Sequence, residues 1–268
     1  MASPVRWLGG KGRLAGAIVK RLLPHKAYVE TCCGGAAVFW AKPKDVSAAE
    51  ILNDRDGELI NFYSVLHKRG RKLAAELDAM PYSRSLFQEL RGARLRGSFN
   101  RAVRFWYLNR VCFGGRRRNP SFGVDASRRA MVLPPRLLCD LDATIQRLRG
   151  VSFESLDVVR LIELYDRPDT LFYVDPPFWG LSQGYACQFS QVDHERLSRA
   201  LVGVKGIFLL SYNDCPQIRR LYAACRFAKL STRYTIGRNS AAGRKAGGTG
   251  EARELLISNH ALRRVTRS

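Results

Sequence analysis

Residues 171–180, Leu-Phe-Tyr-Val-Asp-Pro-Pro-Phe-Trp-Gly, decide the fold of this chain of 268 residues. An apolar run leads directly into an acid, two prolines and two aromatics, which is typical of a buried strand in a parallel sheet. The prolines end the strand because they have no N–H for the sheet's hydrogen bonds. Asp175 precedes a proline and therefore favours extended backbone, so its carboxylate should project from the carboxyl end of the strand, where α/β sheets bind ligands.

The residues after this strand suit a narrow kind of chemistry. The carbonyls of Pro176 and Pro177 and the carboxylate of Asp175 are acceptors that could hold both hydrogens of an –NH2 group. Phe178 offers a flat face on which the ring carrying that amine could stack. This pattern predicts a site for an exposed nucleobase with an exocyclic amine. A loop in which Pro-Pro merely ends a strand, with the aromatics in the core, explains the same four residues equally well.

The charge balance indicates the partner. The chain has 45 Lys and Arg against 23 Asp and Glu, a net charge of +22 and a pI near 10.3, which favours nucleic acid. With 46% hydrophobic and 25% charged residues the composition is globular. No segment reaches about 18 consecutive apolar residues, and the N-terminus lacks the apolar stretch of a signal peptide, so we expect no membrane association.

The cysteines and histidines do not indicate a metal site. The seven cysteines include no C-x-x-C pair, and the four histidines show no ligand spacing. Cys32 and Cys33 are adjacent, and a disulfide between neighbours is strained. We therefore expect no metal and reduced thiols in a cytosolic protein.

The N-terminal region contains two glycine-rich turns. The first, Gly9-Gly10-Lys11, is a candidate phosphate loop without P-loop spacing, and an ordinary turn is its simpler explanation. It precedes a helical pattern over 14–23. The second turn contains Gly34-Gly35, follows a predicted strand at 27–30 and opens a helix. The free N–H groups at the start of that helix could bind a ligand.

An acid stands where nucleotide-binding βαβ units often place one. A second predicted strand, 49–52, ends at Asn53-Asp54, and Asp54 lies 20 residues after Gly34, a spacing typical of an acid that binds ribose hydroxyls. The G-x-G-x-x-G order is absent. The alternative is that Asp54 caps the helix predicted over 57–66.

Residues 67–149 change in character to helical periodicity with many arginines. Between positions 91 and 118 there are nine arginines and no acid over 28 residues, with aromatics interleaved. Arginines contact phosphates and guanine edges, and aromatics can wedge between bases, which predicts a DNA-binding surface. The alternative is a solvated basic helix face. We expect most of these aromatics to be core, and Phe113 not to be.

The α/β pattern returns after this region. Strands are predicted at 151–154 and 206–212, and a helix at 193–201 with Asp193 as its N-cap. Residues 237–250, rich in Gly, Ala, Arg and Lys, are predicted to be a flexible segment before a last strand at 254–259. Residues 226–268 carry ten basic and two acidic residues, a second positive surface.

Taken in order, these motifs resemble the Dam-like, D12 class of DNA adenine-N6 methyltransferases over nearly the whole chain. The matching segments are 7–11 (Trp-Leu-Gly-Gly-Lys), 28–30 with 34–39, Asn53-Asp54, 105–110 (Phe-Trp-Tyr-Leu-Asn-Arg), 175–178 (Asp-Pro-Pro-Phe) and 254–259 (Glu-Leu-Leu-Ile-Ser-Asn). The resemblance implies an α/β fold, a Rossmann-like seven-stranded sheet with an inserted, mainly helical DNA-recognition domain. Residues 1–66 and 150–268 would form the catalytic domain that binds S-adenosylmethionine, and 67–149 the recognition domain.

The resemblance also implies roles for individual residues. The resemblance implies that Trp7, Lys11, Asp54 and Asp175 hold the cofactor, and Glu30, Gly34 and Gly35, in the matching motif at the first strand, are predicted to bind it as well. The implied catalytic residues are Asp175, Pro176, Pro177 and Phe178. For DNA binding the resemblance points to Asn109 and Arg110, and the basic, aromatic pattern of the chain itself adds Phe113, Arg116, Arg117 and Arg118. The chain departs from the family at Thr31-Cys32-Cys33, at Phe178 where many relatives have tyrosine, and at Gly114 and Arg116, which argues against GATC specificity.

The expected reaction is methyl transfer from S-adenosylmethionine to N6 of an adenine flipped out of double-stranded DNA. The same chemistry on cytosine N4, a non-enzymatic DNA-binding relative and an RNA methyltransferase remain alternatives. We expect a monomer, or a dimer on DNA, acting in the cytoplasm at the nucleoid.

Overall fold

A seven-stranded mixed sheet organises the computed structural model, which describes residues 1–113, 119–124, 132–180, 189–233 and 251–262. The strands are β1 Ala27–Glu30, β2 Ala49–Asn53, β3 Val151–Glu154, β4 Thr170–Val174, β5 Ile207–Asn213, β6 Arg226–Arg233 and β7 Glu251–Ser258. Their order is β3-β2-β1-β4-β5-β7-β6. β1 to β5 run parallel to one another, while β7 runs antiparallel to both β5 and β6. The predicted α/β, Rossmann-like seven-stranded fold is confirmed.

The strand predicted from residues 171–180 is β4, near the centre of the sheet. It is buried along its whole length, and alternate side chains enter different cores: Leu171 and Tyr173 one cluster, Phe172 and Val174 the other. β4 pairs with β1 on one side and β5 on the other. Asp175 is the residue directly after β4, so the strand delivers it to the carboxyl edge of the parallel sheet.

Helices cover the sheet and extend away from it. They are α1 Ala15–Val19, α2 Ala37–Ala41, α3 Gly57–Ala79, α4 Arg84–Gly92, α5 Ser98–Val111, α6 Pro135–Cys139, α7 Leu141–Arg147, α8 Val158–Tyr165, α9 Gln191–Val202 and α10 Pro216–Leu221. α3 is kinked at Arg69, whose backbone is not helical, and α5 packs along α3 through stacked rings of Phe62 and Phe105. None of the helices in the described ranges has the length and apolar character needed to cross a membrane.

Several predicted element boundaries were wrong. Ser190, not Asp193, is the N-cap of α9; Asp193 is the third residue of the helix and completes a capping box by accepting from the Ser190 N–H. The helix predicted over 14–23 is shorter, and β6 was not predicted. The whole of the predicted flexible segment 237–250 lies outside the described residues. The division at 66/67 falls inside α3, just before its kink at Arg69, and stays a prediction.

A buried ionic cluster joins β2 to α7 and to the end of α2. Both Glu50 carboxylate oxygens accept from Arg147, at 2.6 and 2.8 Å, and Lys42 Nζ lies 2.7 Å from Glu50 Oε1. The Arg147 guanidinium also lies over the Phe39 ring, 3.6 Å from its centroid. All three charged side chains are buried. The cluster therefore fastens a helix from the 67–149 region to a strand of the sheet.

Candidate active site

A cavity of about 560 Å³ opens at the carboxyl edge of the sheet. Its walls come from the N-terminal loop, the turn after β1, the ends of β1 and β4 and the loop after β4, with Asn213 and Glu254 from β5 and β7. A smaller neighbouring pocket contains Asp54 and Asp157 and shares Trp7, Cys32 and Asp175 with the first. The sheet thus brings together segments far apart in the sequence, and the two pockets together are lined by all the predicted cofactor-binding and catalytic residues.

Lys11 is a buried cation in the wall of the cavity. Its side chain is buried, and its Nζ lies 2.8 Å from Asp175 Oδ1 and 3.8 Å from Glu254 Oε2. The same ammonium donates to the Gly9 carbonyl at 3.2 Å and lies 4.5 Å from the centroid of the Phe178 ring. Lys11 therefore touches both the carboxylate and the aromatic face that the sequence assigned to an amine-bearing ring.

The environment of Asp175 controls its protonation. Burial raises the pKa of Asp175 to about 6; the Lys11 cation opposes this rise, and the Glu254 carboxylate adds to it. A carboxyl with this pKa is mostly ionised at neutral pH and acts as a hydrogen-bond acceptor there.

The loop after β4 is held by Asn213, a residue outside the predicted site. Asn213, the last residue of β5, accepts from the Trp179 N–H at 3.1 Å and donates to the Trp179 carbonyl at 3.3 Å. The Phe178 ring lies 5.9 Å from the Tyr212 ring, centroid to centroid. Asn213 thereby fixes the backbone next to Phe178. The available signal was a polar residue at the carboxyl end of a predicted strand.

The turn after β1 is built around Gly34. Its φ of +48° lies in the left-handed region, and a Cβ at this position would collide with the Trp7 indole. The Gly34 N–H donates to Asp54 Oδ2 at 2.9 Å, and the Gly34 carbonyl accepts from the Tyr63 hydroxyl at 3.0 Å. Gly34 therefore holds Trp7 and Asp54 on either side of the same turn.

Asp54 serves the turn rather than capping α3. Its Oδ1 accepts from the Asp56 N–H at 2.9 Å, and Asp56 is the N-cap of α3, accepting from the Glu58 N–H. The capping alternative for Asp54 is therefore wrong. Each carboxylate oxygen has two lone pairs, so Asp54 can hold the turn and still accept from a ligand hydroxyl in the smaller pocket.

Two further polar groups lie buried at the cavity wall. Glu30 accepts from the Tyr28 hydroxyl at 2.8 Å and from the Phe39 N–H at 3.0 Å, and burial raises its pKa to about 8. The Tyr173 hydroxyl is buried without a hydrogen-bond partner among the described residues. A buried hydroxyl in this state is costly unless a ligand completes it.

The two adjacent cysteines lie where burial disfavours a nucleophilic thiolate. Burial raises the pKa of both the Cys32 and Cys33 thiols, which disfavours the reactive thiolate. Six cysteines are free, and Cys187 lies outside the described residues. No cluster of metal-ligating side chains occurs in the described parts of the chain.

The predicted DNA-binding residues fall into four groups, one of which is the buried Asn109. Phe113 is 64% exposed, as expected of a residue outside the core. Arg110 is half-buried beside Trp106, and burial together with the charge of Arg6 lowers its pKa to about 10. Arg116, Arg117 and Arg118, with Gly114, lie outside the described residues.

Asn109 does not fit the predicted direct contact with DNA. It is buried, and its amide accepts from the Arg6 N–H at 3.0 Å and donates to the Arg6 carbonyl at 2.7 Å. Asn109 therefore fastens α5 to the segment leading into Trp7. Two of the nine arginines also make partly exposed contacts with the rest of the chain: Arg101 pairs with Glu58, and Arg104 donates to the Leu90 and Arg91 carbonyls.

Comparisons with known proteins agree with this geometry. Residues 7–236 match the family model of the D12 class N6 adenine-specific DNA methyltransferases. The chain is 27% identical over 241 residues to the DNA N-6-adenine-methyltransferase of Escherichia phage P1, covering 81% of this chain but 30% of that protein. It is 23% identical over 266 residues to the type II methyltransferase M.CviBI of Paramecium bursaria Chlorella virus NC1A, covering 96% of this chain and 98% of that protein.

Proposed function

This chain belongs to the D12 class N6 adenine-specific DNA methyltransferase family, and on that premise we propose that it transfers a methyl group from S-adenosylmethionine to N6 of an adenine flipped out of duplex DNA. The observation that carries the proposal is the placement of Asp175 and Phe178 on the cavity that also contains Trp7, Lys11 and Gly34. An amine acceptor, a stacking face and a nucleoside-sized cavity meet at one sheet edge.

The residues around the cavity fit S-adenosylmethionine. The Gly34 turn leaves a cradle beside Trp7, and Asp54 is an acceptor for ribose hydroxyls. Within the described part of the chain, the buried Tyr173 hydroxyl has no hydrogen-bond partner. The residues that would hold the cofactor are Trp7, Lys11, Glu30, Gly34, Gly35, Asp54 and Asp175. When bound, the sulfonium cofactor supplies an activated methyl group.

The chain's own residues would bind and orient the base. Asp175 and the Pro176 carbonyl accept from the adenine N6–H2 group, which directs the nitrogen lone pair away from the protein acceptors. Phe178 stacks on the ring, and Asn213 keeps the loop that carries Phe178 in place. Alignment of this kind accounts for a large part of the rate gain in reactions between bound groups.

The arginines of the 91–118 region would bind the DNA. The exposed Phe113 lies directly after α5, so we propose that it fills or wedges the space left by the flipped adenine. Flipping costs a few kcal/mol, and the basic surface contributes binding energy that falls with salt.

The test of this proposal is transfer of label from S-adenosylmethionine to duplex DNA, followed by mass analysis of the nucleosides. We expect N6-methyladenine. N4-methylcytosine would identify the cytosine alternative, and tight DNA binding with no label transferred would identify a non-enzymatic relative. A preference for RNA over duplex DNA of the same sequence would contradict the proposed substrate.

The reaction should lose rate in acid because Asp175 must be ionised to accept from the amine. With a pKa of about 6, we expect kcat/KM to fall about tenfold between pH 7 and pH 5. The measurement is kcat/KM from pH 5 to 8 on protein shown to stay folded. An unchanged rate down to pH 5 would contradict the role of Asp175.

The same pKa has the opposite effect on folding. Because the fold raises the pKa of Asp175, its contribution to stability is present at pH values below its unfolded pKa and is lost as pH rises through about 6. Loss of activity in acid would therefore not result from destabilisation by this group.

Gly34→Ala should weaken cofactor binding about tenfold, because the new Cβ is strained at positive φ and displaces the Trp7 indole. Isothermal titration with S-adenosylmethionine measures the loss. Gly16→Ala is the matched control, since its Cβ would meet nothing within 4 Å on α1 and affinity should not change. Equal affinity of the Gly34→Ala variant and the unmodified protein would contradict the proposed cradle.

A further inference from the structure

Glu254 is a buried acid that the reaction as described above does not use. It lies on β7, where it is 2% exposed, and pairs across the sheet with Asn213 of β5. Its Oε2 accepts from the Ser211 hydroxyl at 3.3 Å and lies 3.8 Å from Lys11 Nζ. Glu254 therefore lines the cavity from the far end of the chain and faces the cation that contacts Asp175.

The three charged groups form one electrostatic unit. Lys11 is shared between Asp175 and Glu254, and when all three are ionised the unit carries one net negative charge. A lysine ammonium is a point charge on a flexible stem, so its position depends on the acceptors around it. With Glu254 present, two carboxylates attract the ammonium. Without Glu254, Asp175 is the one carboxylate of this unit that remains.

The net negative charge of Lys11, Asp175 and Glu254 suits the amino-acid end of S-adenosylmethionine. This end carries a carboxylate, an ammonium and the sulfonium, a net charge of +1 that complements the unit. In the structure the ammonium lies over Phe178, where the adenine is to stack, with Asp175 Oδ1 at 2.8 Å and Glu254 Oε2 at 3.8 Å. An ammonium shared with Glu254 is less tightly committed to Asp175 and can pair with the cofactor carboxylate.

We propose that Glu254 is a positioning residue that holds Lys11 where its ammonium can bind the carboxylate of S-adenosylmethionine. The inference rests on the proposed function, because it names a determinant of cofactor binding at the same site. It assigns Glu254 no contact with the reacting atoms. Its effect on the cofactor passes through Lys11.

A double-mutant cycle tests this dependence. We expect Glu254→Gln to weaken S-adenosylmethionine binding about tenfold, measured by isothermal titration. In a Lys11→Met background the same Glu254→Gln change should alter affinity less than about twofold, because the residue through which it acts is gone. Independent losses that simply add would overturn the proposal.

A second ligand locates the effect on the cofactor. 5′-Methylthioadenosine shares the nucleoside and sulfur of the cofactor but lacks its amino-acid group. Its affinity should be the same for Glu254→Gln and the unmodified protein. In kinetic assays the cofactor KM should rise about tenfold while kcat at saturating cofactor changes less than about threefold, a split that general unfolding would not produce.

Two further variants control for folding and for charge. Glu154→Gln makes the same chemical change on β3, where the carboxylate accepts from the Tyr165 hydroxyl, and should leave cofactor affinity unchanged. Glu254→Asp retains the charge and should recover part of the affinity lost in Glu254→Gln; an equal loss in both would overturn the role of the charge. Absence of S-adenosylmethionine binding by the unmodified protein would overturn the proposed function itself, whereas normal binding with an additive cycle would overturn this inference alone.

Discussion

Asp175→Asn is expected to reduce methyl transfer about a thousandfold while changing affinity for duplex DNA less than about twofold. Asparagine has nearly the same shape, but its NH2 group donates where the carboxylate accepts, and it carries no charge to pair with Lys11. The loss should therefore appear in the chemical step. Single-turnover transfer of labelled methyl measures the rate, and titration of labelled duplex measures DNA affinity.

Asp169→Asn is the matched control for this substitution. Asp169 pairs with Lys26 at 2.9 Å on an exposed surface. It comes directly before β4, and Asp175 comes directly after the same strand. We expect no change in transfer rate from it, because exposed ion pairs contribute little. Turnover retained by Asp175→Asn would remove Asp175 from its proposed role, and a matching loss in Asp169→Asn would point to general damage to the strand.

Glu50→Ala is expected to lower the free energy of unfolding by about 3–5 kcal/mol, because it leaves two buried cations without the carboxylate that pairs with them. Arg147 loses its bidentate acceptor and Lys42 its ion-pair partner. Burial already lowers the pKa of Lys42, so the ammonium is poorly solvated even with Glu50 in place. Urea unfolding followed by circular dichroism measures the change.

The control for the buried cluster is an exposed ion pair of similar length. Glu163 and Arg160 on α8 lie 3.3 Å apart with both side chains largely exposed. Glu163→Ala should change the free energy of unfolding by about 0.5 kcal/mol or less. If Glu50→Ala cost no more than Glu163→Ala, the cluster would not be the fastening between α7 and the sheet.

Local pattern was enough for the centre of the fold. The apolar run before Asp175 specifies a strand buried on both faces, and the two prolines specify where it ends, because each acts on its own backbone. The turn at Gly34 with Asp54 after the next strand is likewise a short-range pattern. The sheet, the edge at which ligands bind and most of the proposed site could therefore be predicted from the sequence.

Tertiary structure decided which polar groups meet. Asn109 stands in an arginine-rich helix, and only the folded chain shows its amide bound to the backbone of Arg6. Asp193 and Ser190 both carry a capping side chain, and the geometry of the first turn chose Ser190. Glu254 looked like part of a last strand, and the antiparallel pairing of β7 with β5 placed it against Lys11.

The physical reason is that backbone preferences and burial periodicity act over a few residues, whereas hydrogen bonds and ion pairs join any groups that the fold brings within reach. The sequence by itself determined the α/β class, the strand that ends at Asp175 and the chemistry that Asp175 and Phe178 can perform. Only the tertiary structure decided that Lys11 lies between Asp175 and Glu254. That arrangement requires an N-terminal loop, a strand from the middle of the chain and a C-terminal strand to meet at one edge of the sheet.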